Sequence, residues 1–128
     1  MKLLMVSVGE GRYAVPADAV AQIVDPAVEV DFHLEESEAV YRGERFPVLD
    51  LHAAVGERRG PSPVYLLLEG SRRRNIVPVD GAEAIRDVPA GDIAPLPAFI
   101  FARPRRAFRG VFSDGRDPRL LLDENGLL

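Results

Sequence analysis

The stretch Arg42-Gly-Glu-Arg-Phe-Pro-Val-Leu-Asp-Leu51 decides how the rest of the chain is read. Gly43 supplies the positive φ that a hairpin-type turn needs. Phe46, Val48, Leu49 and Leu51 predict a buried strand. Pro47 has no amide to donate, which restricts that strand to a sheet edge or a bulge. Asp50 is placed to cap a helical turn over Leu51-His-Ala-Ala-Val55, with Gly56 as its left-handed terminator. Arg42 stands at the mouth of the hairpin turn, and no obvious catalytic group accompanies it. A rigid hairpin that presents one arginine is a device for holding a partner.

Strand signals dominate on both sides of this segment. Leu3 to Val8 is an apolar run, Gly9-Glu-Gly11 a turn, and Arg12 to Val15 the returning strand of a hairpin. Pro16 opens a single helical turn that runs into a strand through Ile23 and Val24. Between Ala27 and Val40 two readings stay open. Val28, Val30 and Phe32 alternate like a strand, whereas Leu34 to Ala39 fits one exposed helical turn. Glu57 to Ser62 reads as a surface loop. Val64 to Leu68 and Asn75 to Val79 predict a hairpin across Gly70 to Arg74, followed by a short strand over Ala84 to Val88 and a loop over Pro89 to Pro97. Phe108 to Phe112 is another strand, Ser113 to Pro118 is turn chemistry, and Arg119 to Asp123 ends in an apolar strand closed by a capping aspartate. The pattern Leu-Asp after an apolar strand thus occurs twice, at Leu49-Asp50 and Leu122-Asp123, as two similar small β units would give. Many short strands at regular spacing predict an all-β, barrel-like chain.

Composition narrows the function classes. A chain of 128 residues forms one domain or two very small subdomains sharing a core. With 47% hydrophobic and 28% charged residues it has the balance of an ordinary globular protein. The absence of cysteine excludes disulfide frameworks, thiolate metal sites and cysteine nucleophiles. The net charge of −4 argues against a dedicated nucleic-acid binder. Met1 to Met5 is too short an apolar run for a signal peptide, and no run approaches a membrane span, so the expected location is cytoplasmic.

Residues that carry chemistry elsewhere have plain readings here. His33 and His52 lack a second ligand at metal-binding spacing, and His52 reads as a surface residue on the helical turn. None of Ser7, Ser37, Ser62, Ser71 and Ser113 lies in a nucleophile elbow. Glu35-Glu-Ser-Glu38 reads as a solvated face, and Arg72 to Arg74 and Arg103 to Arg106 as basic loop tips able to meet carboxylates or phosphates. An enzyme would need Asp50, Asp80 and Asp123 to converge in one pocket. The expectation is no catalytic residue, no metal and no cofactor.

Laid out in this order, the chain resembles a CheW-like domain, the small coupling module of bacterial chemotaxis systems. Arg42 to Leu51 is similar to the family's signature of Arg-Gly, an apolar pair, Pro, a second apolar pair and Asp-Leu. Asn75-Ile-Val-Pro-Val-Asp-Gly81, Ile85 to Val88, Asp92-Ile-Ala-Pro-Leu-Pro97, Phe108 to Val111, and Leu120 to Asp123 with Leu127-Leu128 continue the match in order. The resemblance implies two small five-stranded SH3-like β-barrel subdomains sharing an apolar core, with short helical turns. The division it suggests is 12–62 and 63–112, with the termini 1–11 and 113–128 completing the barrels. It also implies a non-catalytic adaptor whose partners are the regulatory domain of a CheA-type histidine kinase and a chemoreceptor cytoplasmic tip. A groove between the subdomains would take the receptor, and barrel edges the kinase.

Carried over by position, the partner-facing candidates are Arg42, Val20, Gln22 and Ile23, with Glu38, Val40 and Tyr41 on the segment leading to the arginine. Two places depart from the family pattern. Gln22 stands where the family has an acid, and 35–43 lacks the usual proline, glycine and asparagine and is unusually acidic. A partner outside chemotaxis is the alternative these departures leave open.

Overall fold

The computed structural model describes residues 1–61, 63–96, 108–115 and 117–124. Eleven strands are seen among them: β1 Lys2–Val8, β2 Gly11–Pro16, β3 Val20–Val24, β4 Phe32–Glu35, β5 Glu38–Tyr41, β6 Glu44–Pro47, β7 Val64–Glu69, β8 Arg74–Val79, β9 Gly81–Asp87, β10 Phe108–Asp114 and β11 Asp117–Leu122. One helix, α1, covers Leu51–Val55, and 3-10 turns cover Ala17–Ala19 and Ala90–Asp92. Residues 103–106, the closing Leu127-Leu128 and the turn expected after Asp123 lie outside the described residues.

The strands form a five-stranded sheet in the order β10-β11-β2-β1-β9 and two three-stranded sheets, β3-β7-β8 and β4-β5-β6. All pairs are antiparallel except β11 with β2. A parallel bridge from Val48 to Ile76 joins the two smaller sheets, so strands 20–79 form one group beside the five-stranded sheet. The line drawn at residue 62 from the resemblance falls between β3 and β7, which pair in one sheet.

Three apolar clusters explain why several strands read as unbroken hydrophobic runs. Successive side chains of a strand point to opposite faces. Leu4, Val6 and Val8 of β1 meet Leu66, Leu68, Val77 and Val79 of β7 and β8 in a core shared by the two groups. Leu3 and Met5 face the other way, onto Phe112 and Leu121. Tyr65 and Leu67 of β7 likewise turn to Tyr41, Phe46 and Ile76. A strand covered on both faces has no polar face to show.

The central segment folds much as its residues dictate. Asp50 accepts the amide of Ala53 at 3.1 Å, and Gly56 closes α1 at a φ of 75°. Pro47 lies on β6, an outer strand of its three-stranded sheet, where its missing amide costs no ladder bond. The buried strand is shorter than its apolar residues predict. It stops at Pro47, Val48 adds the bridge to Ile76 and an amide bond to the Ser37 carbonyl, and Leu51 is buried from α1, because the Asp50 cap has already turned the chain.

The ambiguous segment resolves against the helical turn. Residues Leu34 to Ala39 form a hairpin instead, with Glu36 and Ser37 between paired Glu35 and Glu38. Phe32 and Tyr41 are opposite each other across it, and only a hairpin seats Phe32, Ala39 and Tyr41 against the same core. Of the expected alternation only Phe32 is in a strand. Val28 and Val30 sit in a turn set by Asp25, which accepts three following amides, and both are exposed.

Candidate functional site

Arg42 and Gly43 are themselves the two-residue loop between paired Tyr41 and Glu44. Both have positive φ, 52° and 79°, as the primed hairpin turns require. A non-glycine residue is strained there, and its neighbours hold it. The Arg42 amide donates to the Asp31 carbonyl at 3.0 Å, its Nε lies 3.6 Å from Asp31 Oδ2, and its guanidinium lies 4.9 Å from the Tyr41 ring centre. By sequence position alone, Glu38 or Glu44 is the natural ion-pair partner for Arg42. The hairpin instead turns Arg42 back over the Asp25–Asp31 turn, and Glu44 goes to Arg74 at 2.8 Å.

Val20, Gln22 and Ile23 lie on β3, the outer strand of its sheet, with a bulge between Val20 and Gln22. They line a groove of about 360 Å³, floored by Leu4, whose opposite wall is Ile85 on β9. β9 is itself the outer strand of the five-stranded sheet. The groove therefore runs between the free edges of the two strand groups. Ile23 and Ile85 stand 42% and 62% exposed along it, so it offers apolar area to a partner.

A second cleft, of about 200 Å³, opens from the same place. Ala21 and Gln22 line both, and the second adds Tyr41, Arg42, Phe46 and Arg74. Five of the seven candidate residues are thus brought together: Val20, Gln22, Ile23, Tyr41 and Arg42. The other two stand apart. Val40 points to the face of β5 opposite Tyr41, between His33 and Arg45, and Glu38 sits beside the hairpin tip across from Pro47. Tyr41 is a buried support under Arg42, with its hydroxyl lacking a hydrogen-bond partner among the described residues. Gln22 brings a neutral amide where the groove meets the arginines.

Sequence reasoning missed Ile85 and Arg119, and singled out Arg74 only as part of a basic loop tip. Ile85 was legible as a strand residue, but its outward direction follows from β9 being an edge. Arg74 was placed at a basic tip; it is held by Glu69 at 3.0 Å and Glu44, and stacks over Phe46. Arg119 is buried, donates to the Tyr13 carbonyl at 3.0 Å and pairs with Asp114 at 3.0 Å. Arg86 also pairs with Asp114, which ties the β10–β11 hairpin to β9.

His52 is buried, which corrects its reading as a surface residue. Its Nε2 lies 2.8 Å from Asp80 Oδ2, while the Gly9 amide and the Gly60 amide, the latter at 2.6 Å, donate to the same carboxylate. Burial alone would raise the Asp80 carboxyl; the Gly9 and Gly60 amides and the His52 ring outweigh it and hold the carboxyl below its ordinary value. Asp50 is meanwhile committed to its cap and to Arg59 at 3.6 Å. These aspartates are structural fastenings with separate partners. Among the described residues no three His, Asp or Glu side chains gather as a metal site would require.

The model of the CheW-like domain family matches residues 2–128. Among solved structures, the scaffolding protein TtCheW from Thermoanaerobacter tengcongensis is similar in fold, with a TM-score of 0.78 at 19% identity, over 95% of this chain and 88% of that one. No curated protein sequence matches the chain. With the family model spanning the sheets, the groove between their edges and the Arg42 hairpin, the chain belongs to the CheW-like domain family and is a non-catalytic adaptor.

Proposed function

We propose that the chain couples a CheA-type histidine kinase to a chemoreceptor-like partner in the cytoplasm, holding each through non-covalent contact. The observation that carries this reading is the groove between β3 and β9, with the Arg42 cleft opening from its end at Ala21 and Gln22. Ile23 and Ile85 provide apolar area for affinity, and Arg42 provides a charge that fixes orientation. In this reading the two strand groups act as two small subdomains, and the helical receptor tip lies in the groove between them. The outer strands remain for the kinase's regulatory domain.

Pull-down of the cognate kinase regulatory domain and receptor fragment by the wild-type chain and by Arg42→Ala tests it. The variant should bind more weakly while its melting curve stays nearly unchanged, because the Asp31 pair it loses is exposed. Unchanged binding by the folded variant removes Arg42 from the interface.

A second reading has its own observation. The turn before β4 exposes Val28 and Val30, and the tip at the other end of the β4–β5 hairpin carries Glu36 and Glu38. An acidic hairpin tip and an exposed apolar turn suit a partner from another pathway, such as pilus control or gene regulation, or competition with a coupling protein. A stable native complex lacking both kinase and receptor would favour it.

A further inference from the structure

Past the Arg42 cleft, and sharing Glu44, Phe46 and Arg74 with it, lies a concave surface of about 690 Å³ where β6 meets the turn between β7 and β8. Its lining sets four arginines, Arg45, Arg72, Arg73 and Arg74, against Glu44 and Glu69. The arginines divide into two kinds. Arg74 is spent on Glu69 and Glu44 and lies over the Phe46 ring, and Arg45 is spent on Glu35. Those pairs pin the walls. The guanidinium groups of Arg72 and Arg73 are exposed and have no ion pair among the described residues. The fixed concavity therefore keeps two uncommitted, fork-shaped cations on a chain whose net charge is −4.

We propose that this surface is a docking site for an acidic segment of a partner protein, whose carboxylates pair with Arg72 and Arg73. Guanidinium groups bind carboxylates by two parallel hydrogen bonds, so two adjacent arginines select two neighbouring acids. A nucleic acid fits the surface less well. Its regular phosphates would meet Glu44 and Glu69 on the same walls and the acidic body of the chain behind them. A short peptide can place its charges on the two cations and keep neutral residues against the glutamates. This goes beyond the coupling reading, because the two cations it uses, Arg72 and Arg73, line neither the groove nor the Arg42 cleft.

Fluorescence polarisation with a labelled peptide of alternating glutamate and serine tests it at low and at raised salt. The wild-type chain should bind saturably at low salt, and R72S/R73S should bind about tenfold more weakly, as loss of two exposed charge pairs allows. R58S/R59S removes the same charge away from the groove and should bind as wild type. Equal loss in both double variants would show a response to net charge only, and would overturn the site. So would failure of the wild-type chain to bind the peptide. If Arg72 and Arg73 instead retain duplex DNA or phosphatidylserine vesicles more tightly than the peptide, the assignment to a protein partner falls. Melting curves of both double variants establish that they are folded.

Discussion

The Nε2 of His52 lies 2.8 Å from the Oδ2 of Asp80, joining the helical turn after the central strand to the residue that follows β8. Asp80 also takes the amides of Gly9, in the β1–β2 turn, and Gly60, in the loop after α1. One carboxylate thereby fastens both strand groups at the end of the shared core. Replacing His52 by Ala empties a buried ring site and takes one donor from Asp80. We expect a loss of about 2–3 kcal/mol. That corresponds to a melting temperature lower by about ten degrees. A melting curve that stays within two or three degrees of wild type would show that the pair holds nothing together.

The same carboxylate predicts an acid-sensitive window. Its folded value lies below the ordinary aspartate value of 3.8, so in that range the unfolded chain binds the extra proton. Stability from Asp80 is complete above the ordinary value and disappears as pH falls through the lowered folded one. The urea midpoint of wild type should therefore drop below about pH 4 more steeply than that of Asp80→Asn. Asp80→Asn should be less stable at neutral pH and flatter in acid. Parallel curves for the two proteins would contradict the assignment.

The Arg42-Gly43 turn separates a folding role from a contact role. Gly43→Ala puts a side chain at a φ of 79° and should cost about 1 kcal/mol, read from urea denaturation. Arg42→Asn substitutes a residue that tolerates positive φ, at the expense of an exposed ion pair, and should leave stability within about 0.5 kcal/mol. If the arginine contacts a partner, the asparagine variant keeps the fold and loses affinity. Strong destabilisation by asparagine would instead make Arg42 a structural residue.

Arg119 is 2% exposed and shares Asp114 with Arg86. Arg119→Met strands the Tyr13 carbonyl and half-strips Asp114, and should cost about 3 kcal/mol. A double-mutant cycle with Asp114→Asn, measured by urea denaturation, should show coupling of at least about 1 kcal/mol. Additive losses would mean that the two side chains act independently.

The parts legible in the sequence are those where one residue's chemistry decides local geometry. Asp50 and Gly56 bracket α1, Gly43 requires a turn, and Pro47 belongs on an outer strand. What stayed hidden depends on residues far apart in the chain. His52 looks like a surface residue until Asp80, Gly9 and Gly60 close over it. Leu34 to Ala39 is too short and too acidic for periodicity to separate a helical turn from a hairpin. Tertiary packing decides, by seating Phe32 against Tyr65 at 4.7 Å between ring centres. The candidate site divides in the same way. Arg42 announced itself through the glycine beside it, whereas Ile85 became a groove wall only because β9 is an outer strand next to β3.

That wall yields the sharpest test of the coupling reading. Ile85 is 62% exposed on an outer strand and Ile23 is 42% exposed across the groove, so Ile85 contributes little buried area to the folded chain while both keep apolar surface free. Ile85→Glu should therefore change the melting temperature by only a few degrees. In a complex, the same carboxylate would be buried without a partner against apolar surface, which costs several kcal/mol. Binding of the kinase regulatory domain or of a receptor fragment, measured by calorimetry, should weaken by at least tenfold for whichever partner occupies the groove. Ile23→Ser should weaken the same partner and leave the other unchanged, which assigns the groove to one of the two. If both variants fold and bind both partners like wild type, the groove between β3 and β9 is not the coupling surface. The outer faces of the strands would then be the place to search.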